Sequence, residues 1–172
     1  MGRLLDVEDE PTLAGLELIQ RRLDEKIDAP DPEGLVPDLA ELYRSFARVE
    51  RERVQQLLAR VLIDSRFLLG EARPAVEAVS RLVEENRESW RAVEHLLMLG
   101  ELHETLARDW SDAHPPDRMD FGDGDIWRAH VARARQAYLE VSRADGDPAK
   151  PEGLARLRAL DAYAMRIQSL AR

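Results

Sequence analysis

The sequence predicts an all-α fold of about six helices stacked as antiparallel hairpins, in one domain spanning residues 1–172. Three observations predict it. Apolar residues recur at steps of three and four, and no segment shows the sustained period-two alternation of a half-buried strand. Breaks rich in proline and glycine fall a helix length apart. The 172 residues, 44% hydrophobic and 34% charged, supply enough apolar material for one core.

The first helix is expected to start near Pro11, because proline at the first helical position lacks only an N–H that has no partner there. Leu13, Leu16, Ile19, Leu23 and Ile27 form its apolar face, and residues 29–34, with two prolines and a glycine, end it. The next segment, 36–69, has no glycine, and its only proline, Pro37, sits in the first turn. Leu35, Leu39, Leu42, Phe46 and Val49 alternate steps of four and three, as a bundle seam does. The pattern then skips residues 50–53, Glu-Arg-Glu-Arg, and resumes with Val54, Leu57, Leu58, Val61 and Leu62. Unbroken, this helix is about 50 Å long. The charged tetrad is where it is expected to bend, or to leave the core and run through solvent.

Gly70 ends that helix, and a shorter one is expected over 74–86 with Val76, Val79 and Val83 inward. Ser89 is the expected N-cap of a helix reaching Trp110. Residues 93–102 are apolar on most sides, which makes this the most buried helix. Residues 111–125 read as an acidic loop. A helix over 126–144 follows, with Trp127, Val131, Ala134, Tyr138 and Val141 on one stripe. Residues 145–148 break it, and a last helix over 152–170 turns Leu154, Leu157, Leu160, Ala164 and Ile167 inward.

Around the second break a family pattern emerges. Leu62, Gly70, Ala75, Val79 and Leu82 sit where a tetratricopeptide repeat places its first-helix leucine, its turn glycine and the inward residues of its second helix. Residues 56–89 thus resemble this repeat, a helix–turn–helix of about 34 residues. The resemblance implies helical pairs that stack and leave a concave peptide-binding surface. Ile63, Arg66 and Arg87 depart from the pattern, and a second repeat from Trp90 does not continue it.

Composition narrows the function classes. There is no run of about 18 apolar residues to span a membrane, and the acidic first ten residues do not read as a signal peptide. With no cysteine, disulfides, thiolate catalysis and cysteine-ligated zinc or iron–sulfur centres are excluded for this chain. The expected compartment is the cytoplasm. The chain has two lysines, Lys26 and Lys150, against 23 arginines, and neither lysine follows a glycine. A Walker-A phosphate loop is therefore absent, as is GxGxxG. No cofactor is expected.

The net charge of −9 is unevenly spread: −6 over 1–34, +1 over 35–70, −8 over 71–125 and +4 over 126–172. The basic C-terminal helices make a nucleic-acid-associated subunit one alternative. Glu140, Asp145, Asp147, Glu152 and Asp161 interleave the arginines there, so the surface is not a clean phosphate track.

His95 shares a face with Leu99, Leu102 and Leu106 and is expected to be a partly buried histidine bonded to a neighbouring helix. A small helical enzyme centred on it is a further alternative. His103 lies about 80° around the same helix, so the two do not chelate together. His130, beside Trp127 and Ala134, is expected at the core edge. No HExxH or paired Glu-x-x-His spacing occurs. Asp112, Asp117, Asp120, Asp123 and Asp125 fit no EF-hand alignment, so no metal site is expected. Arg108 and His114 have the arginine–histidine spacing seen in helical ribonucleases of the HEPN type.

The reading that results is a non-enzymatic protein–protein interaction module: an adaptor, scaffold or small subunit. Self-association is expected through Tyr43, Phe46, Val49 and Arg51 of the long helix, with Arg48, Glu50 and Glu52 among the rim charges of a homodimer.

Overall fold

The computed structural model describes residues 13–28, 37–69, 72–116 and 124–170, and among these there are α-helices and no strand. There are six: α1 (Leu13–Asp28), α2 (Pro37–Leu69), α3 (Arg73–Glu85), α4 (Ala92–Ala113), α5 (Gly124–Arg143) and α6 (Lys150–Leu170). Each packs on its neighbours in sequence as adjacent antiparallel pairs, and α4 also touches α6. None of the described helices is long and apolar enough to cross a membrane. Pro11, the expected first helical residue, lies outside the described residues.

Two apolar clusters hold the stack, and α4 serves both. Ala59 of α2, Ala75, Val79 and Leu82 of α3, and Leu102 and Leu106 of α4 form the first. Ala134 and Tyr138 of α5 with Leu160 of α6 form the second, with Leu97 of α4 packed against it. Eight buried residues lie along α4, among them His95, Leu102, His103, Glu104 and Ala107. Its apolar character on most sides has this cause: it is sandwiched between two cores.

Two glycines set helix spacing. A Cβ on Gly100 would lie 2.5 Å from Tyr138 Cε1, so α5 approaches α4 with the tyrosine ring seated on the glycine. A Cβ on Gly153 would lie 2.5 Å from Val141 Cγ1, which brings the start of α6 onto α5. Gly146, at φ +81°, makes the left-handed turn between those helices.

Several local expectations are corrected. The tetrad at 50–53 does not interrupt α2, and it leaves the core only in part: Glu50 and Arg53 face solvent, whereas Glu52 is buried where α3 gives way to α4. Ser89 caps the turn before α4 rather than α4 itself: its Oγ accepts from Arg91 N–H at 3.1 Å. Its hydroxyl donates to Glu52 Oε1 across the interface (2.7 Å), and α4 begins three residues later at Ala92 with no side-chain cap. The acidic loop is shorter than 111–125: α4 continues to Ala113 and α5 begins at Gly124. Leu154 is exposed, because Gly153 is the residue of that turn pressed against α5.

Candidate functional site

Because the helices alternate in direction and stack in sequence, α2, α4 and α6 come to line one hollow. Its volume is about 360 Å³. Ile63 comes from α2, Arg156 from α6, and Met98, Glu101, Leu102, Glu104, Thr105 and Arg108 from α4. The i, i+3, i+4 spacing of the α4 residues places them on one helical stripe. The hollow is thus lined by the apolar side chains of Ile63, Met98 and Leu102 together with two carboxylates, two guanidinium groups and a hydroxyl.

Its charges are held in place. Arg156 Nη2 donates to Glu101 Oε1 at 2.7 Å, joining α6 to α4. Arg108 Nη2 donates to Glu104 Oε1 at 2.7 Å, and the buried Tyr138 hydroxyl donates to Glu104 Oε2 at 2.7 Å. Burial and the adjacent Glu104 carboxylate push the Tyr138 phenol far above its ordinary range, so it stays a donor. The Arg108 guanidinium lies 4.5 Å from the centre of the Tyr163 ring. Tyr163 is anchored in turn: its hydroxyl accepts from Trp127 Nε1 (3.1 Å) and lies 2.8 Å from Ser111 Oγ. Three helices therefore fix the rim before anything binds.

A second polar layer joins α2, α3 and α4. Gln55 Nε2 donates to Glu85 Oε2 (2.8 Å), Asn86 Nδ2 donates to Gln55 Oε1 (3.0 Å), and Ser89 holds Glu52. Arg51 bridges Asp24 of α1 (2.7 Å) and Glu85 of α3 (2.6 Å). Within this layer His95 is fully buried. It is not bonded to the neighbouring helix as expected: Nε2 lies 3.3 Å from Glu52 Oε1 without hydrogen-bond alignment, and Nδ1 has no partner. Burial, outweighing the attraction of Glu52, lowers its pKa and keeps the ring neutral. His95 does not line the hollow.

A contact between distant residues was not anticipated. His103 Nδ1 and His130 Nδ1 are 2.9 Å apart, a bond in which one ring donates and the other accepts. Burial, with His130 and Arg133 beside it, lowers His103 to about 4. Burial and Arg133 lower His130 as well.

The remaining candidate residues do not converge. Phe46 and Val49 are exposed on α2, whereas Arg51 turns inward to its two carboxylates. The side chain of Tyr43 lies outside the described residues. Asp112 and Asp125 are exposed, and Asp117, Asp120 and Asp123 lie outside the described residues. Among the described residues no three metal-ligating side chains meet. Arg108 is committed to Glu104 and Tyr163, while His114 stacks on Trp110 with ring centres 4.4 Å apart. In the basic C-terminal helices Arg128, Arg135, Lys150 and Arg156 each sit in an intramolecular ion pair.

The rim residues Glu101, Glu104 and Arg156 escaped the sequence reading, and Arg108 entered it only for its spacing to His114, although α4 carried a signal. Charges at 101, 104 and 108 interrupt the most apolar helix on a single stripe, and such a stripe needs a polar destination. No family model matches this chain, and no curated protein or solved structure matches it either.

Proposed function

We propose that this chain is a non-enzymatic protein-interaction module, a tetratricopeptide-like stack that receives a short segment of a partner protein in the hollow between α2, α4 and α6. The observation that carries this reading is the hollow itself, lined by alternate helices and held open by fixed polar groups. A stack of helical pairs uses alternate helices in this way when it presents a concave peptide-binding face. The volume of about 360 Å³ falls at the small end of ligand sites. It accommodates one or two side chains and not a folded surface, so the partner contributes an anchor residue on an extended or helical segment. Ile63, Met98 and Leu102 suit an apolar anchor. The carboxylates and guanidinium groups around them suit flanking residues of either charge and the polar backbone.

The ion pairing along α5 and α6 favours this reading over a nucleic-acid surface. A phosphate track needs cations free to replace counterions, and four of those cations already have carboxylate partners.

The experiment is selection from a displayed random-peptide library on the purified chain, with a Thr105→Trp variant as the counter-target. Thr105 lines the hollow, and an indole there fills it over Ile63, Met98 and Leu102 at the edge of the first cluster. Peptides that share an apolar anchor and bind the wild-type chain at least tenfold better than the variant are expected. Equal binding to both proteins, or no enrichment at all, overturns the reading. Matched circular dichroism spectra and melting temperatures show that the variant is folded.

A further inference from the structure

The long helix α2 carries a second surface, separate from the hollow. At about 100° per residue, Phe46, Val49, Arg53 and Leu57 fall within one face about 80° wide. Phe46 is 65% exposed, Val49 55% and Leu57 39%. Leu18 of α1, 48% exposed, lies at the level of Leu57, since Glu17 and Leu58 line one small hollow between these helices. Large apolar side chains are thus left in water along one face of α2. The charges interspersed with them are uncommitted: Glu50 and Arg53 are exposed and form no ion pair among the described residues.

We propose that this face pairs with the same face of a second copy of the chain, with the two α2 helices antiparallel about a two-fold axis midway between Glu50 and Arg53. The spacing of the residues selects that register. Phe46 and Leu57 lie equally far on either side of the axis, and so do Glu50 and Arg53. A two-fold axis there sets Phe46 of each copy against Leu57 of the other, and Glu50 of each against Arg53 of the other. Apolar and charge matching are met at once, and twice, as an isologous contact requires. Parallel pairing sets Glu50 against Glu50 and Arg53 against Arg53, and like charges disfavour it.

Arg51 and Glu52, expected in the rim of such a contact, do not take part, because both are bound within their own chain. Glu50 and Arg53 replace them. The paired stretch, Phe46 to Leu57, is about 17 Å of helix. An interface built on it belongs to the small, transient class, so the dimer forms at high micromolar concentration.

The test is the mass in solution by sedimentation equilibrium from 10 to 500 μM, for the wild-type chain and for Glu50→Arg, Arg53→Glu and Phe46→Asp. The wild-type mass is expected to rise from 19.6 kDa towards twice that value. Each charge reversal sets like charges together at both contacts and weakens association at least tenfold. An equimolar mixture of Glu50→Arg and Arg53→Glu restores it, because every contact between unlike chains is again a carboxylate facing a guanidinium. Phe46→Asp stays monomeric and folded, its side chain being exposed in the single chain. A wild-type chain that stays at 19.6 kDa throughout overturns the proposal, whether the face is free, covered by residues 1–12 of the same chain or reserved for another protein. Charge reversals without effect overturn it too, as does a mixture that fails to re-associate. Helicity and melting temperature, unchanged in the charge variants, separate these results from misfolding.

Discussion

The His103–His130 pair makes the stability of this chain acid-sensitive in a calculable way. In the unfolded chain a histidine takes up a proton near pH 6.5. In the folded chain His103 resists until about pH 4, because its ring is buried between α4 and α5 beside His130 and Arg133. Between those values the unfolded state holds more protons, so stability falls as the pH falls through this window and is level above it. The full separation corresponds to about 3 kcal/mol, of which about 1 kcal/mol is lost between pH 7.5 and 5.5. The narrower interval is the useful one, since most carboxylates stay ionised across it.

The perturbation is His103→Gln, which keeps a group able to hydrogen-bond His130 and removes the proton uptake. Urea unfolding of both proteins at pH 7.5 and 5.5 gives the four free energies. Carboxylates and the histidines outside the pair contribute alike to both proteins and cancel in the difference, which leaves the pair itself, His103 with its bonded partner His130. The wild-type chain is expected to lose about 1 kcal/mol more than the variant. Equal losses mean that His103 is protonated as readily folded as unfolded, which its burial forbids. A smaller loss in the wild-type chain means that protonation strengthens the α4–α5 contact, and the placement of the two rings is then wrong.

Three further outcomes follow from the packing. Gly100→Ala should destabilise by about 1–3 kcal/mol, since the methyl group collides with the buried Tyr138 ring and the gain in helix propensity is at most about 1 kcal/mol; thermal melting measures the balance, and a gain refutes the close approach. Tyr138→Phe should cost about 1–3 kcal/mol in urea unfolding by taking a buried donor from Glu104, with no change of helicity. His95→Leu should lie within about 1 kcal/mol of wild type at pH 7.5, because neither ring nitrogen makes a hydrogen bond that is lost; a larger loss assigns His95 a partner through water.

Helix existence was legible because each segment carries its own apolar face and its own break. Leu16, Val79, Trp127, Tyr138, Val141 and Leu160 are buried where the period of 3.6 places them. Local signals misled where tertiary contacts shift the frame of an element. Ser89 has the chemistry of an N-cap and its Oγ does accept from Arg91 N–H (3.1 Å) while its proton goes to Glu52, thirty-seven residues away, but the turn it caps precedes α4, which begins at Ala92. Leu154 fits the apolar stripe of α6, but the contact of Gly153 with Val141 rotates that stripe outward at its start. Of the hollow, only the charged stripe of α4 was legible. Its lining comes from three helices, and only the packing order of the stack brings Ile63 and Arg156 to the same side of α4. The same holds for His103 and His130, which meet through the α4–α5 pairing.

The polar contacts of α4 explain how a rim of charges stays in register. Apolar seams tolerate a helix sliding by one turn, because the residue a turn away is often another leucine or alanine. The polar pairs do not. A shift of α4 by one turn separates Glu104 from Tyr138, His103 from His130, and Ser111 from Tyr163 together. Each buried group left unpaired costs about 1–3 kcal/mol, so the three contacts against α5 and α6 penalise the slipped arrangement by several kcal/mol. Singly, such contacts add little to net stability, since their partners in the unfolded chain are water. Their effect is to choose one packing among several of similar apolar burial. The chosen packing sets Glu101, Glu104 and Arg108 opposite Arg156, and the hollow between α2, α4 and α6 inherits its shape from that choice.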